Sequence, residues 1–72
     1  MKKQEFCSEL SDCLEIENLK ESSNLELTSL GVLSVIALVD ENFDKQLVIS
    51  ELKAVKSVSA LMALIGDENF SD

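Results

Sequence analysis

Residues 29–43 leave this chain little choice of fold. Ser29 and Leu30 open an apolar stretch, Gly31-Val32-Leu33-Ser34-Val35-Ile36-Ala37-Leu38-Val39, which closes on Asp40-Glu41-Asn42-Phe43. Leu30, Leu33, Ile36, Ala37 and Val39 recur at helical spacing and Phe43 extends the same stripe, which predicts a helix over 30–43 with a broad apolar face. Thr28 and Ser29 are the candidates for its N-cap. With 72 residues the chain makes one domain. The chain has no Pro, Trp or Tyr and only two Gly, a poverty of turn formers and aromatics that argues against a sandwich or barrel. A small helical bundle is the remaining architecture.

The other elements follow from the same periodicity. Phe6, Leu10, Cys13 and Leu14 line one face of a helix over 3–14, with Glu5, Ser8, Glu9 and Asp12 on the wet side. Residues 15–28 form a long connection broken at Glu21-Ser22-Ser23-Asn24. Its Ile16, Leu19, Leu25 and Leu27 are too apolar for a free linker, so it should lie against the bundle. Residues 44–49 form a second loop, made partly buried by Leu47, Val48 and Ile49. Ser50 is expected to cap a short helix over 51–55, and Ser57 a fourth over 58–65 whose Val58, Leu61, Met62 and Ile65 face inward. Gly66 stops that helix, because it can take positive φ most easily. The domain is expected to span 1–66, with 67–72 an acidic, frayed tail. Asp-Glu-Asn-Phe occurs at 40–43 and again at 67–70, and two copies of four residues establish no repeat architecture.

Charge and composition narrow the function. Fourteen acidic against six basic residues give a net charge of −8, which repels phosphate backbones and excludes nucleic acid as an expected partner. Apolar residues are 46% of the chain, enough for a core, so disorder is not expected. A chain this short has little room for a deep catalytic cleft. Cys7 and Cys13 fall too far apart around one helix to form a disulfide, and two Cys without His make no structural zinc site, so buried, reduced thiols are expected. The N-terminal Met1-Lys2-Lys3-Gln4-Glu5 precedes no apolar region of the kind a signal peptide has. The longest unbroken apolar run, 60–65, falls far short of the ~20 residues a membrane span needs. A cytoplasmic protein is expected. Lys53 and Lys56 read as solubilising surface charges.

Ser29 is the residue with chemical prospects. A hydroxyl at the mouth of a helix can carry a phosphate ester, held by free backbone N–H groups and the positive end of the helix dipole. Gly31 in the first turn costs about 1 kcal/mol relative to Ala, a cost that close approach of a phosphate or partner would explain. No His and no nucleophile stands near Asp40-Glu41 or Glu15-Glu17 in a pattern suited to acid–base catalysis.

From Ser29-Leu30-Gly31-Val32-Leu33 through Asp40-Glu41-Asn42-Phe43, and again at Leu52 and Ser57-Val58-Ser59-Ala60-Leu61, the chain resembles the acyl carrier proteins. The resemblance covers roughly residues 5–66. It implies an all-α, four-helix bundle of acyl-carrier type with a long first loop and a short third helix. It further implies that a phosphopantetheinyl transferase moves 4′-phosphopantetheine from coenzyme A to Ser29, flanked by Thr28 and Leu30, and that the arm holds an acyl group as a thioester. On this reading the protein is a monomeric, non-catalytic carrier in fatty-acid or specialised acyl metabolism. It would present its cargo to acyl-loading and acyl-using enzymes with basic docking patches, which Asp40, Glu41 and Asp44 would meet. Four positions depart from the family pattern. Thr28 stands where carriers have Asp, Gly31 and Ser34 stand where fatty-acid-synthesis carriers tend to be acidic, and Asp44 stands where a Gly commonly follows the helix. These departures imply an accessory carrier with a specialised partner.

Two other classes compete with it. Asp40, Asn42, Asp44 and Glu51 fall at the first, third, fifth and twelfth positions of an EF-hand calcium loop, with Leu47 at the apolar eighth. Against that, Lys45 occupies the position of the turn glycine, and Phe43 and Ile49 are large apolar groups in what should be a wet loop. The remaining alternative is an unmodified helical interaction domain.

Overall fold

A computed structural model describes residues 1–71; Asp72, the last residue of the expected tail, lies outside the described residues. Four helices follow one another: α1 (Lys3–Leu14), α2 (Ser29–Phe43), α3 (Ile49–Lys53) and α4 (Val58–Ile65), with a single 3-10 turn at Asp67–Asn69. Among the described residues there is no strand, only two isolated bridges, and no helix is long and apolar enough to cross a membrane. The protein is a small all-α bundle. Its core holds Phe6 and Leu10 from α1, Val35 and Val39 from α2, Leu52 from α3, and Val58, Leu61, Met62 and Ile65 from α4, all at most 2% exposed.

α1 spans the predicted 3–14 and buries Phe6, Cys7 and Leu10, while Cys13 and Leu14 are only half-buried. It ends at Glu15, which adopts the left-handed conformation (φ 57°). The connection over 15–28 lies on the bundle, as its apolar content demands. Leu19 and Leu25 are buried, the Leu19 N–H donates to Ser11 Oγ (3.3 Å), and the Leu25 N–H donates to Lys56 O (2.9 Å). In return the Val58 and Ser59 amides donate to Ser23 O and Glu21 O, so the loop shields part of the otherwise unsatisfied start of α4. Ser57 caps α4 as expected, its Oγ accepting from Ala60 N at 3.1 Å.

The predicted face of α2 is rotated. Val32, Val35, Leu38 and Val39 point inward together with Gly31, while Leu30 (78% exposed) and Leu33 (57%) point to solvent. Almost every position from 30 to 39 is apolar, so hydrophobic period alone does not fix the phase of this helix. Close packing fixes it. A Cβ on Gly31 would lie 3.3 Å from Leu14 Cδ2 and 3.6 Å from Leu27 Cδ2, so the smallest side of α2 faces α1 and the loop. Gly31 therefore serves internal packing rather than the approach of a ligand. α3 is displaced as well, running Ile49–Lys53 instead of 51–55, with Ser50 inside it and Val48 as N-cap. Starting early lets the Leu52 N–H donate to Val48 O (3.2 Å) while Leu52 reaches the core beside Leu47 and Val55.

The segment after α4 is docked rather than frayed. Phe70 packs edge-on against Phe6 and Phe43, with centroids 5.0 and 5.2 Å away, and Phe6 and Phe43 meet at 6.0 Å. All three phenylalanines of the chain thus share one cluster. The Lys3 N–H donates to Ser71 O and the Ser71 N–H to Met1 O, each at 2.9 Å, so the two ends of the described chain are zipped together. The duplicated Asp-Glu-Asn-Phe has a physical meaning here. Asn42 Nδ2 donates to Leu38 O (2.9 Å) and Asn69 Nδ2 to Ile65 O (3.1 Å), four residues back in both cases. In each copy the Asn side chain donates to a helix carbonyl four residues back, and the next residue delivers a Phe to the same cluster. Lys45 Nζ also donates to Ile65 O, at 2.7 Å, completing the end of α4.

Gly66 makes this turn possible. Its φ of 117° is one that L-residues rarely adopt. Gly66→Ala is expected to lower unfolding free energy by about 1–3 kcal/mol, measured by urea denaturation. A melt unchanged from wild type would show that the turn relaxes without cost.

Candidate functional site

Thr28 decides what Ser29 is free to do. Thr28 lies outside α2 in extended conformation, and its Oγ1 accepts from Gly31 N at 3.1 Å. The N-cap is therefore Thr28, and Ser29 is the first helical residue. The Ser29 side chain is exposed, and its hydroxyl makes no hydrogen bond to any described residue. The Ser29 and Leu30 amides likewise find no acceptor among the described residues, as expected of the first turn of a helix. No acidic residue occupies that turn, so no carboxylate competes for the positive end of the dipole.

Two clefts flank the turn. One, of roughly 400 Å³, runs between α2 and α3 and is lined by Ser29, Leu27, Thr28, Val32, Leu33, Ile49 and Lys53. Its walls are mostly apolar, and Lys53 is the only charged side chain among the lining residues. The other, of roughly 420 Å³, lies toward α1 and is lined by Cys13, Ile16, Leu30 and Ser34 among others, with Glu15 and Glu26 giving it negative charge. An esterified phosphate at Ser29 would thus meet two unpaired amides, a helix N-terminus and, in the neighbouring cleft, one ammonium group, a donor set whose charge suits a phosphodiester.

The remaining predicted residues do not join this site. Asp40, Glu41 and Asp44 are exposed at the opposite end of α2. At about 1.5 Å rise per residue, Asp40 lies roughly 16 Å along the axis from Ser29. The calcium spacing is not realised as a loop. Asp40 and Asn42 are within α2, the Asn42 side chain is engaged with Leu38 O, and Glu51 is inside α3. Among the described residues no three acidic, Cys or His side chains converge as metal ligands.

The cysteines are both free. Cys7 is buried, and burial first, then the negative charge of Glu21, raises its pKa above the ordinary thiol value. Its thiolate is disfavoured, so Cys7 behaves as a packing residue. Cys13 is half-buried at the edge of the α1-side cleft rather than fully interior.

Sequence reasoning placed Leu33 in the core, yet it lines the cleft beside Ser29; Lys53 is exposed at the end of α3, as expected, and lines the same cleft. Their convergence depends on how α3 docks on α2, which no local pattern encodes. No family model, no curated protein and no solved structure matches the chain.

Proposed function

We propose that the protein is a non-catalytic acyl carrier, with Ser29 as the attachment residue for 4′-phosphopantetheine. The observation that carries this reading is the division of labour at the start of α2. Thr28 performs the capping that would otherwise account for a serine here, and the Ser29 hydroxyl is left exposed and unbonded. Support also comes from the order of elements, with a long first connection and a short third helix, which is the arrangement of acyl carriers. The arm, once attached, supplies a terminal thiol able to hold an acyl group as a thioester. The chain's own part is to expose the hydroxyl to a phosphopantetheinyl transferase, to offer the Ser29 and Leu30 amides to the ester phosphate, and to display the acylated arm to partner enzymes. Thr28 in place of Asp leaves the cap intact but uncharged, which fits a specialised rather than a general transferase.

Incubating the protein with coenzyme A and a panel of promiscuous phosphopantetheinyl transferases, followed by intact-mass measurement, tests this. The expected result is a gain of one arm that is absent from Ser29→Ala. Failure of every transferase to add mass, or a gain that persists in Ser29→Ala, overturns the assignment.

A further inference from the structure

The exposed apolar side chains of this protein are not scattered. Five large ones are exposed: Ile16, Leu30, Leu33, Val48 and Ile49. Four of them line the two clefts that flank Ser29, and the fifth, Val48, adjoins Ile49 in the chain. Clustered exposure of this kind marks an interaction surface, whereas single exposed apolar residues need no explanation.

Charge says what kind of surface meets it. The net charge is −8, yet residues 29–39 carry no charged side chain at all. The cleft between α2 and α3 has Lys53 as its only charged lining residue. A basic patch would be drawn instead to the far end of the bundle, where Asp40, Glu41 and Asp44 are joined by Asp67 and Glu68 through the Phe43–Phe70 contact. An enzyme anchored there would make its charged contacts roughly 16 Å along α2 from the hydroxyl it must reach. On the α2–α3 side of Ser29, where Leu33 and Ile49 lie, a basic patch would meet Lys53, while Glu15 and Glu26 line the other cleft, toward α1.

We infer that the enzyme that modifies Ser29 docks through an uncharged apolar surface seated on Leu30, Leu33, Val48 and Ile49, and that Asp40, Glu41 and Asp44 take no part in that docking. The inference rests on the carrier reading. It replaces charge-guided docking at the acidic end of α2 with apolar contact beside the hydroxyl. Apolar burial is insensitive to ionic strength in a way that exposed charge pairs are not, which gives the proposal a second signature.

The test is the rate of arm transfer from coenzyme A by a transferase that modifies the wild-type chain. Leu33→Ser and Ile49→Ser are expected to lower kcat/KM at least tenfold. The triple variant Asp40→Asn, Glu41→Gln, Asp44→Asn should stay within twofold, and raising salt tenfold should change the wild-type rate less than twofold. Thermal melts establish that each variant is folded, and Leu33→Met, which keeps the apolar surface, should restore the rate. A tenfold loss in the acid-neutralised triple variant, a steep fall of the wild-type rate with salt, or unchanged rates in both serine variants overturns the docking assignment while leaving the carrier reading in place. A wild-type chain that no transferase modifies overturns both.

Discussion

Phe6→Ala is expected to lower the free energy of unfolding by about 3–5 kcal/mol. Phe6 is fully buried and touches both other phenylalanines edge-on. Truncation therefore removes a large apolar group and both edge-to-face contacts, which are worth roughly 0.5–1.5 kcal/mol each beyond their buried area. A domain of this length has roughly 4–11 kcal/mol in total, so the loss is a large fraction of the whole. Urea denaturation followed by helical circular dichroism should show a midpoint shifted strongly downward or no folded baseline. Phe6→Leu keeps much of the volume and should retain a measurable transition, losing mainly the aromatic geometry. Hydrogen exchange gives a local readout. Phe70 is docked on Phe6, and the Lys3 and Ser71 amides are bonded across the adjoining chain ends. In Phe6→Leu those two amides should lose protection before the amides of α4 do. Equal protection in variant and wild type would mean that the terminal pairing holds without the aromatic cluster.

What the sequence made legible, and what it did not, divides along a physical line. α1 came out at its observed bounds because its apolar stripe is set against a polar face, and α4, apolar almost throughout, because Ser57 caps its start and Gly66 stops its end. The long connection was recognisable as surface-docked because Leu19 and Leu25 had nowhere else to go. α2 failed in phase, not in existence: a helix apolar nearly all round carries no periodic signal, and the decision falls to the contact of Gly31 with Leu14. α3 failed in register, because Ser50 is a good cap by type, yet burial of Leu47 and Leu52 sets where the turn begins. The tail failed because its acidic composition concealed one anchoring aromatic, Phe70. At the site, the exposed hydroxyl of Ser29 and the candidacy of Thr28 for the cap were readable from local order alone. Leu33, Ile49 and Lys53 were not, since two segments distant in sequence, 27–33 and 49–53, make that cleft. The phase error and the docking surface are one fact seen twice, because the residues that α2 turns away from the core are those that surround Ser29.

Thr28 and Ser29 should separate cleanly when each is replaced. Thr28 Oγ1 holds the Gly31 amide, so Thr28→Ala removes a working N-cap and is expected to lower stability by about 1 kcal/mol. Ser29 bonds to nothing described and is exposed, so Ser29→Ala should change stability by less than about 0.5 kcal/mol. The order reverses for modification. Ser29→Ala removes the only hydroxyl at the first helical position, and arm attachment should vanish completely. Thr28→Ala keeps that hydroxyl and should still be modified, more slowly because the first turn is less firmly held. Paired urea titrations and intact-mass measurements on the two variants read all four quantities. A serine kept solely as a capping residue would show the opposite pattern, with Ser29→Ala costing stability and no chemistry lost. The two substitutions, adjacent in the chain, thus distinguish a hydroxyl that holds the helix from one that the helix holds out to a partner.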